Sequence, residues 1–386
     1  MLVTVELVKN ASVERLVKLW AKRYIPDLSV LCLQKSRLTV SELLEAASRE
    51  GRAKTVAKRQ SIIQSNCDCA AIKTDVLFSY IPNIVNLSDS QRVAELVAQV
   101  YQKVLEIYQQ QSPTPALLET IPQMGTANFS IDAFRSSVMP ALELPAVEQL
   151  AEALEPILLQ LQRQHLSSPN RRTIGFLTTQ LHLSTELVLN RLTLPEQLLL
   201  SPYFKFVEEQ VCIPWQRVCA AAAKHHLCSP AFSLVEQLLP ASQEIAQTVY
   251  RRAVQLYPNH RSRRGRLSEP KVMASSVRDI EMFQGYLWLC VLEGSMAAVE
   301  QELLPLCLMV FPSVDVKWEL VEQLVPLLVE ELQVRVKPFQ MSLLQSYAQA
   351  MQELFSNLEM KAIEGSSKTT FVKMRSLSQF PHAFAK

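Results

Sequence analysis

The sequence predicts an all-α protein, and three observations carry that expectation. Only 7 of the 386 residues are Gly, too few for the positive-φ turns on which tightly turned β folds and phosphate-cradling loops depend. Hydrophobic residues make up 48% of the chain, with Leu, Ala, Glu, Gln and Val dominant, so a sizeable core is available. Apolar residues also recur at helical spacing, as in Val93, Leu96, Val97, Val100, Val104 and Ile107.

Taken from the N-terminus, "LTVSELLEAASREG" offers a capping box from Thr39 to Glu42 and a stop at Gly51. A basic helix follows in "RAKTVAKRQSII", with Arg52, Lys54, Lys58 and Arg59. The two segments outline a helix-turn-helix whose basic face would suit DNA phosphates. A helical hairpin with one solvated basic side explains them equally. Ser88 with Gln91 caps the long helix that carries Val93 to Ile107. The stretch "QQQSPTP" (109–115) breaks the pattern and marks a boundary, giving an N-terminal helical domain over 1–112. Residues 113–170 read as a connector holding one helix, "LPAVEQLAEALEPILLQLQRQH". A dense helical series over 171–363 forms the second domain, and 364–386 reads as a basic mobile tail.

Several function classes find no support. The formal net charge is +2, so any attraction to nucleic acid or an anionic membrane has to be local. The longest apolar run, "LLPLCLMVF", falls well short of the roughly 20 residues of a membrane span. With no signal-peptide pattern and eight Cys at scattered spacings, the expected location is the cytoplasm. Cys219, His225, His226 and Cys228 are residue types that zinc accepts, but in no standard spacing. Packing explains them as well. No paired-acid constellation, metal-binding helix or nucleophile elbow is visible, so no enzyme is expected.

The informative region is 251–295. Between 251 and 271 stand Arg251, Arg252, Arg261, Arg263, Arg264, Arg266 and Lys271 against the single acid Glu269. Such density suits a carboxylate, a phosphate or an acidic protein, and Arg261, Arg263, Arg264 and Arg266 are the candidate partner-binding residues. A solvated loop is the plainer reading. In the next helix Ile280, Phe283, Leu287 and Val291 form one apolar stripe. Ser276 and Asp279 fit the Ser-x-x-Asp capping pattern at its start.

The segment "VRDIEMFQGYLWLCVLEGS" with "MAAVEQELLPLCLMVF" after it resembles the chromophore-bearing region of phycobilisome proteins of the phycocyanin and allophycocyanin type. Matching positions are Arg278-Asp279, the aromatic Phe283, Gly294-Ser295, Val299-Glu300 and the aromatic Phe311. The resemblance covers about 175–363 and implies a globin-like helical bundle. It also implies a linear tetrapyrrole (bilin) held by Arg278 and Asp279. The family's attachment Cys is replaced by Ser276, and a hydroxyl cannot readily form the thioether. The implied protein is therefore a bilin-less phycobilisome component without a covalent cofactor. It would bind phycobiliproteins as a scaffold, assembly or turnover factor, in a photosynthetic, cyanobacterial setting and peripheral to thylakoid membranes. The alternatives are a non-covalent bilin carrier or lyase-like factor, and a regulatory DNA- or protein-binding helical module.

Overall fold

The computed structural model describes residues 10–24, 40–81, 87–113, 147–166 and 173–356. Thr39 of the expected capping box, most of the 113–170 connector and the whole 364–386 tail lie outside the described residues. Within them the fold is all-α. The described strands are a two-residue antiparallel pair, β1 (Arg261–Ser262) and β2 (Gly265–Arg266). No helix among the described residues is long and apolar enough to cross a membrane.

Helix α1 (Ala11–Ala21) is capped by Asn10, whose side chain accepts from the Ser12 and Val13 N–H groups. Helices α2 (Val40–Ala47) and α3 (Arg49–Gln60) make a tight hairpin, with the chain turning at Ser48 rather than at Gly51. Gly51 sits in the first turn of α3 for a packing reason. A Cβ there would lie 2.1 Å from the Glu45 carbonyl oxygen and 2.7 Å from that of Ala46. Half of the basic face expected on α3 is spent indoors. Arg52 is 1% exposed and donates to the carbonyls of Ala47 and Tyr108. Arg59 is also buried, and Lys58 pairs with Glu196 at 2.5 Å. Arg52 and Arg59 are thus buried, and Lys54 and Lys58 are the exposed cations of that helix.

Next come α4 (Ile63–Leu77), α5 (Leu87–Gln110) and α6 (Val147–Leu166). α5 begins one residue ahead of Ser88 and buries Val93, Leu96, Val97, Val100 and Val104 as its periodicity predicts. The break after α5 does not end the core. Tyr101 meets Phe204 edge-on at 4.5 Å, and Tyr108 meets Tyr203 at 5.5 Å. Those partners lie on α8 (Leu194–Cys212), which follows α7 (Thr173–Leu189). One contiguous apolar cluster runs from Val13 to Phe355.

The remaining helices are α9 (Trp215–Ala222), α10 (Pro230–Leu238), α11 (Ser242–Leu256), α12 (Pro270–Glu293), α13 (Leu304–Ser313), α14 (Trp318–Arg335) and α15 (Met341–Ser356). α12 is the axis, packed by α9, α10, α11 and α15. From Ile280 to Leu292 every residue of it is buried, so the single stripe predicted by sequence widens to all faces. Gly294 ends it at φ 67°, a left-handed cap that favours Gly.

α1 closes the bundle from outside. Its Trp20 stacks on Trp215 at 4.2 Å and meets Trp288 edge-on at 5.9 Å. Just beyond, Arg23 reaches Glu209 on α8 at 2.9 Å and Glu281 on α12 at 2.5 Å. All three side chains are at least nine-tenths buried.

Candidate functional site

A cavity of about 360 Å³ lies where α4, α7, the first half of α12, α13 and α14 converge beneath the β1–β2 hairpin. It exists because α12 changes character along its length. Its second half is enclosed by neighbours, whereas Ser276, Arg278 and Asp279 in the first half form part of the cavity wall. Most of the wall is apolar, with Phe283, Leu306, Val310, Phe311, Leu320 and Leu324 contributing. Among the residues lining it are four cations, Lys73, Arg263, Arg264 and Arg278, against one carboxylate, Asp279.

The helix starts earlier than its Ser-x-x-Asp pattern predicts. Pro270 stands in the first turn of α12 and Glu269 precedes it, so Ser276 and Asp279 are interior helical positions. Asp279 therefore caps nothing. It accepts from Arg278 Nε at 3.3 Å and Nη2 at 2.9 Å instead.

Arg278 belongs to a relay of polar groups that the sequence separates widely. Its Nη1 lies 2.7 Å from His182 Nδ1, 96 positions away, and 3.9 Å from Glu208 Oε2. Arg264 Nη1 approaches the other ring nitrogen, Nε2, at 2.9 Å, and its Nη2 pairs with Glu186 at 2.5 Å. A neutral imidazole can accept at one nitrogen only. With a proton on Nδ1 facing Glu208 Oε1 at 3.5 Å, Nε2 accepts from Arg264, and Arg278 Nη1 finds no acceptor on the ring. The end of the cavity beside His182 thus has guanidinium N–H in excess of ring acceptors.

Burial opposes charge on both Glu208 and Arg278, but their partners outweigh it. Glu208 is pulled below the ordinary carboxylate range by its hydrogen bond to His182 and by the charge of Arg278. Arg278 is pushed up by Asp279 and Glu208. Arg278 and Glu208 therefore both stay charged at any physiological pH.

The structure divides the residues predicted from sequence. Arg278, Asp279, Arg263, Arg264 and Ser276 come together on one wall. The basic loop is not simply solvated, because Arg263 and Arg264 form the turn of a hairpin. Arg263 pairs with Asp315 at 3.0 Å, and Arg264 with Glu186 as above. Arg261 and Arg266 face each other across the two strands, both exposed, and neither has an ion pair among the described residues. His182, Glu208, Lys73 and Cys212 were not legible as site residues, since no motif spacing links them to α12. Cys212 matters because it puts a thiol on the cavity wall. Burial pushes that thiol well above its ordinary range, with Glu208 and Asp279 adding to the shift against Arg278, so it stays protonated and a poor nucleophile. Cys290 is buried and does not line the cavity.

Of the Cys and His group near residue 225, Cys219 and His225 are engaged inside the fold, whereas His226 and Cys228 are exposed. Cys219 is fully buried, and the His225 ring lies 2.9 Å from Ser229 Oγ and 2.8 Å from the Leu292 carbonyl. No group of three or more potential metal ligands occurs among the described residues. No family model, curated protein or solved structure matches the chain.

Proposed function

We propose that this chain is a non-enzymatic binding protein that holds an apolar molecule bearing a carboxylate, without a covalent bond, in the cavity beside Arg278. One observation carries the reading: a mostly apolar cavity carries four cationic side chains against one carboxylate among the described residues of its wall. A chain of apolar atoms gains from leaving water, and its head group gains charge-assisted hydrogen bonds from guanidinium groups that are already positioned. A bilin is the form of this ligand that the phycobilisome resemblance implies. Ser276 lacks the thiol for its attachment, and the Cys212 thiol is held protonated. Equilibrium dialysis of the full chain against biliverdin and against simple aliphatic carboxylates tests the reading. Saturable binding weakened by Arg278→Met is the expected result, and no binding of either class would end it.

A second reading, contact with an acidic partner such as a phycobiliprotein, is favoured by Arg261 and Arg266. Like charges directly opposite on paired strands repel, so an exposed Arg pair of this kind is relieved by a docked carboxylate surface. Arg251, also exposed and without an ion pair among the described residues, adds to that positive surface. Binding to phycocyanin that survives Arg261→Gln with Arg266→Gln unchanged would dismiss it.

A further inference from the structure

We propose that the ligand of the cavity is a long-chain aliphatic monocarboxylate, its carboxylate beside Arg278 and Arg264 and its chain among the side chains of α13 and α14. This rests on the reading of the cavity as a carboxylate-binding site and names the ligand class. Volume is the first argument. At organic packing density a non-hydrogen atom takes roughly 20 Å³, so the cavity holds about 18 of them. That is the size of a carboxylate with about 16 carbons, whereas a linear tetrapyrrole has roughly twice as many non-hydrogen atoms.

The wall is the second argument. A flat conjugated pigment asks for aromatic faces and for buried acceptors opposite its pyrrole N–H groups. Among its described residues the wall offers Phe283 and Phe311 as aromatics and Asp279 as its one carboxylate, which is taken by Arg278. Leu306, Val310, Leu320 and Leu324 instead make an irregular aliphatic surface that suits a flexible chain.

Charge is the third. A monocarboxylate brings one anionic head, and Arg278 and Arg264 converge on the two nitrogens of one imidazole, 2.7 and 2.9 Å away. The two guanidinium groups thus stand at one ring, each already paired with a carboxylate, Arg264 with Glu186 and Arg278 with Asp279, and a ligand head group shares their remaining N–H donors. Lys73, exposed on α4 and without an ion pair among the described residues, adds positive charge where that helix meets the cavity.

The test uses delipidated full-length protein and displacement of a fluorescent polyene carboxylate by unlabelled competitors. Saturated carboxylates of increasing length should bind roughly fourfold tighter per added methylene until the cavity is full near 16 carbons, then gain nothing. The primary alcohol of matching length should bind roughly tenfold to a hundredfold more weakly, since it lacks the charge that the guanidinium groups recognise. Leu320→Trp, which fills the wall, should shorten the preferred chain. Equal affinity for acid and alcohol would overturn the assignment without any variant. Tight binding of biliverdin with no competition from any aliphatic carboxylate would overturn the ligand class and leave the binding-protein reading standing. If neither class binds, both readings fall.

Discussion

Arg23→Met isolates the interaction that fastens the N-terminal helix to the bundle. In the native protein Arg23 donates to Glu209 Oε1 from Nε at 3.1 Å and Nη2 at 2.9 Å, to Glu281 Oε2 at 2.5 Å, and to Ser242 Oγ at 3.1 Å. Its guanidinium also lies 3.9 Å over the Trp20 ring. Two buried carboxylates share this one cation, with Lys205 helping Glu209 from 3.8 Å. Glu209 Oε2 and Glu281 Oε1 have no hydrogen-bond partner among the described residues. Removing one member of a buried ion pair costs about 3–5 kcal/mol, because the remaining charge is left unsolvated. Met keeps most of the apolar contact with Trp20, so the loss measured is mainly electrostatic, and we expect about 4 kcal/mol at pH 7. The pH dependence makes the test sharper. Burial first, and then Glu209, raises the Glu281 carboxyl above 4.5, against Arg23 and Lys205. A raised acid binds its proton more tightly when folded, so its stabilisation is complete below the unfolded pKa and fades as pH rises through the folded one. Without Arg23 that rise is larger. The deficit of the variant should therefore shrink by about 1–2 kcal/mol between pH 7 and pH 5, at up to about 1.4 kcal/mol per pH unit for one proton. Urea unfolding followed by circular dichroism at several pH values measures it. Partial recovery is expected in Arg23→Met with Glu281→Gln. A deficit under about 1 kcal/mol at pH 7, or one that is flat with pH, would refute the account.

Gly51→Ala should destabilise by about 1–3 kcal/mol, because its methyl group meets the Glu45 and Ala46 carbonyl oxygens and backbone must move; thermal unfolding reads this, and an unchanged midpoint would contradict the close approach of α2 and α3. Under native conditions a thiol reagent should label Cys69 and Cys228 quickly and leave Cys67, Cys212, Cys219, Cys290 and Cys307 unmodified, as peptide mapping will show. Burial holds the Cys67 and Cys290 thiols at about 12, so rapid labelling of either would mean that the core opens there. The four arginines of the basic loop should separate into two pairs. Arg263→Gln with Arg264→Gln should lower thermal stability slightly, by freeing Asp315 and leaving Glu186 with Lys271 alone, whereas Arg261→Gln with Arg266→Gln should not.

What sequence made legible was local. Scarce Gly and the spacing of Val93 to Val104 are enough for helices, and the same spacing found the buried side of α5. The start of α12 is not where its capping pattern points: Ser276-x-x-Asp279 reads as a helix start, but the helix begins at Pro270, because Pro at the head of a helix gives up no hydrogen bond. Charge was the least legible property. Seven basic residues in 251–271 suggest an open cationic loop, yet Arg252, Arg263, Arg264 and Lys271 find Glu330, Glu331, Asp315 and Glu186 from distant parts of the chain. Counting within a window cannot see those partners, just as it could not see that Arg52 and Arg59 turn inward.

The cavity's polar end depends on core packing that its own residues do not advertise. Arg278 can meet His182 and Glu208 only if α12 is held in one rotation and at one height against α7 and α8. Burial on every face from Ile280 onward supplies the rotation, since turning the helix would drive Glu281 and Gln284 out of the places where Arg23 and the Ser242 carbonyl receive them. Gly285 supplies the height. A Cβ there would lie 2.7 Å from Ile213 Cγ2, so α12 lies against the chain immediately after α8 more closely than any other residue would allow. That contact is one residue beyond Cys212 and about a turn beyond Glu208, so it holds the end of α8 at a fixed distance from α12. Arg23, on the far side of Glu281, is thus coupled to the cavity through a single rigid helix, and the N-terminal segment is part of what positions Arg278.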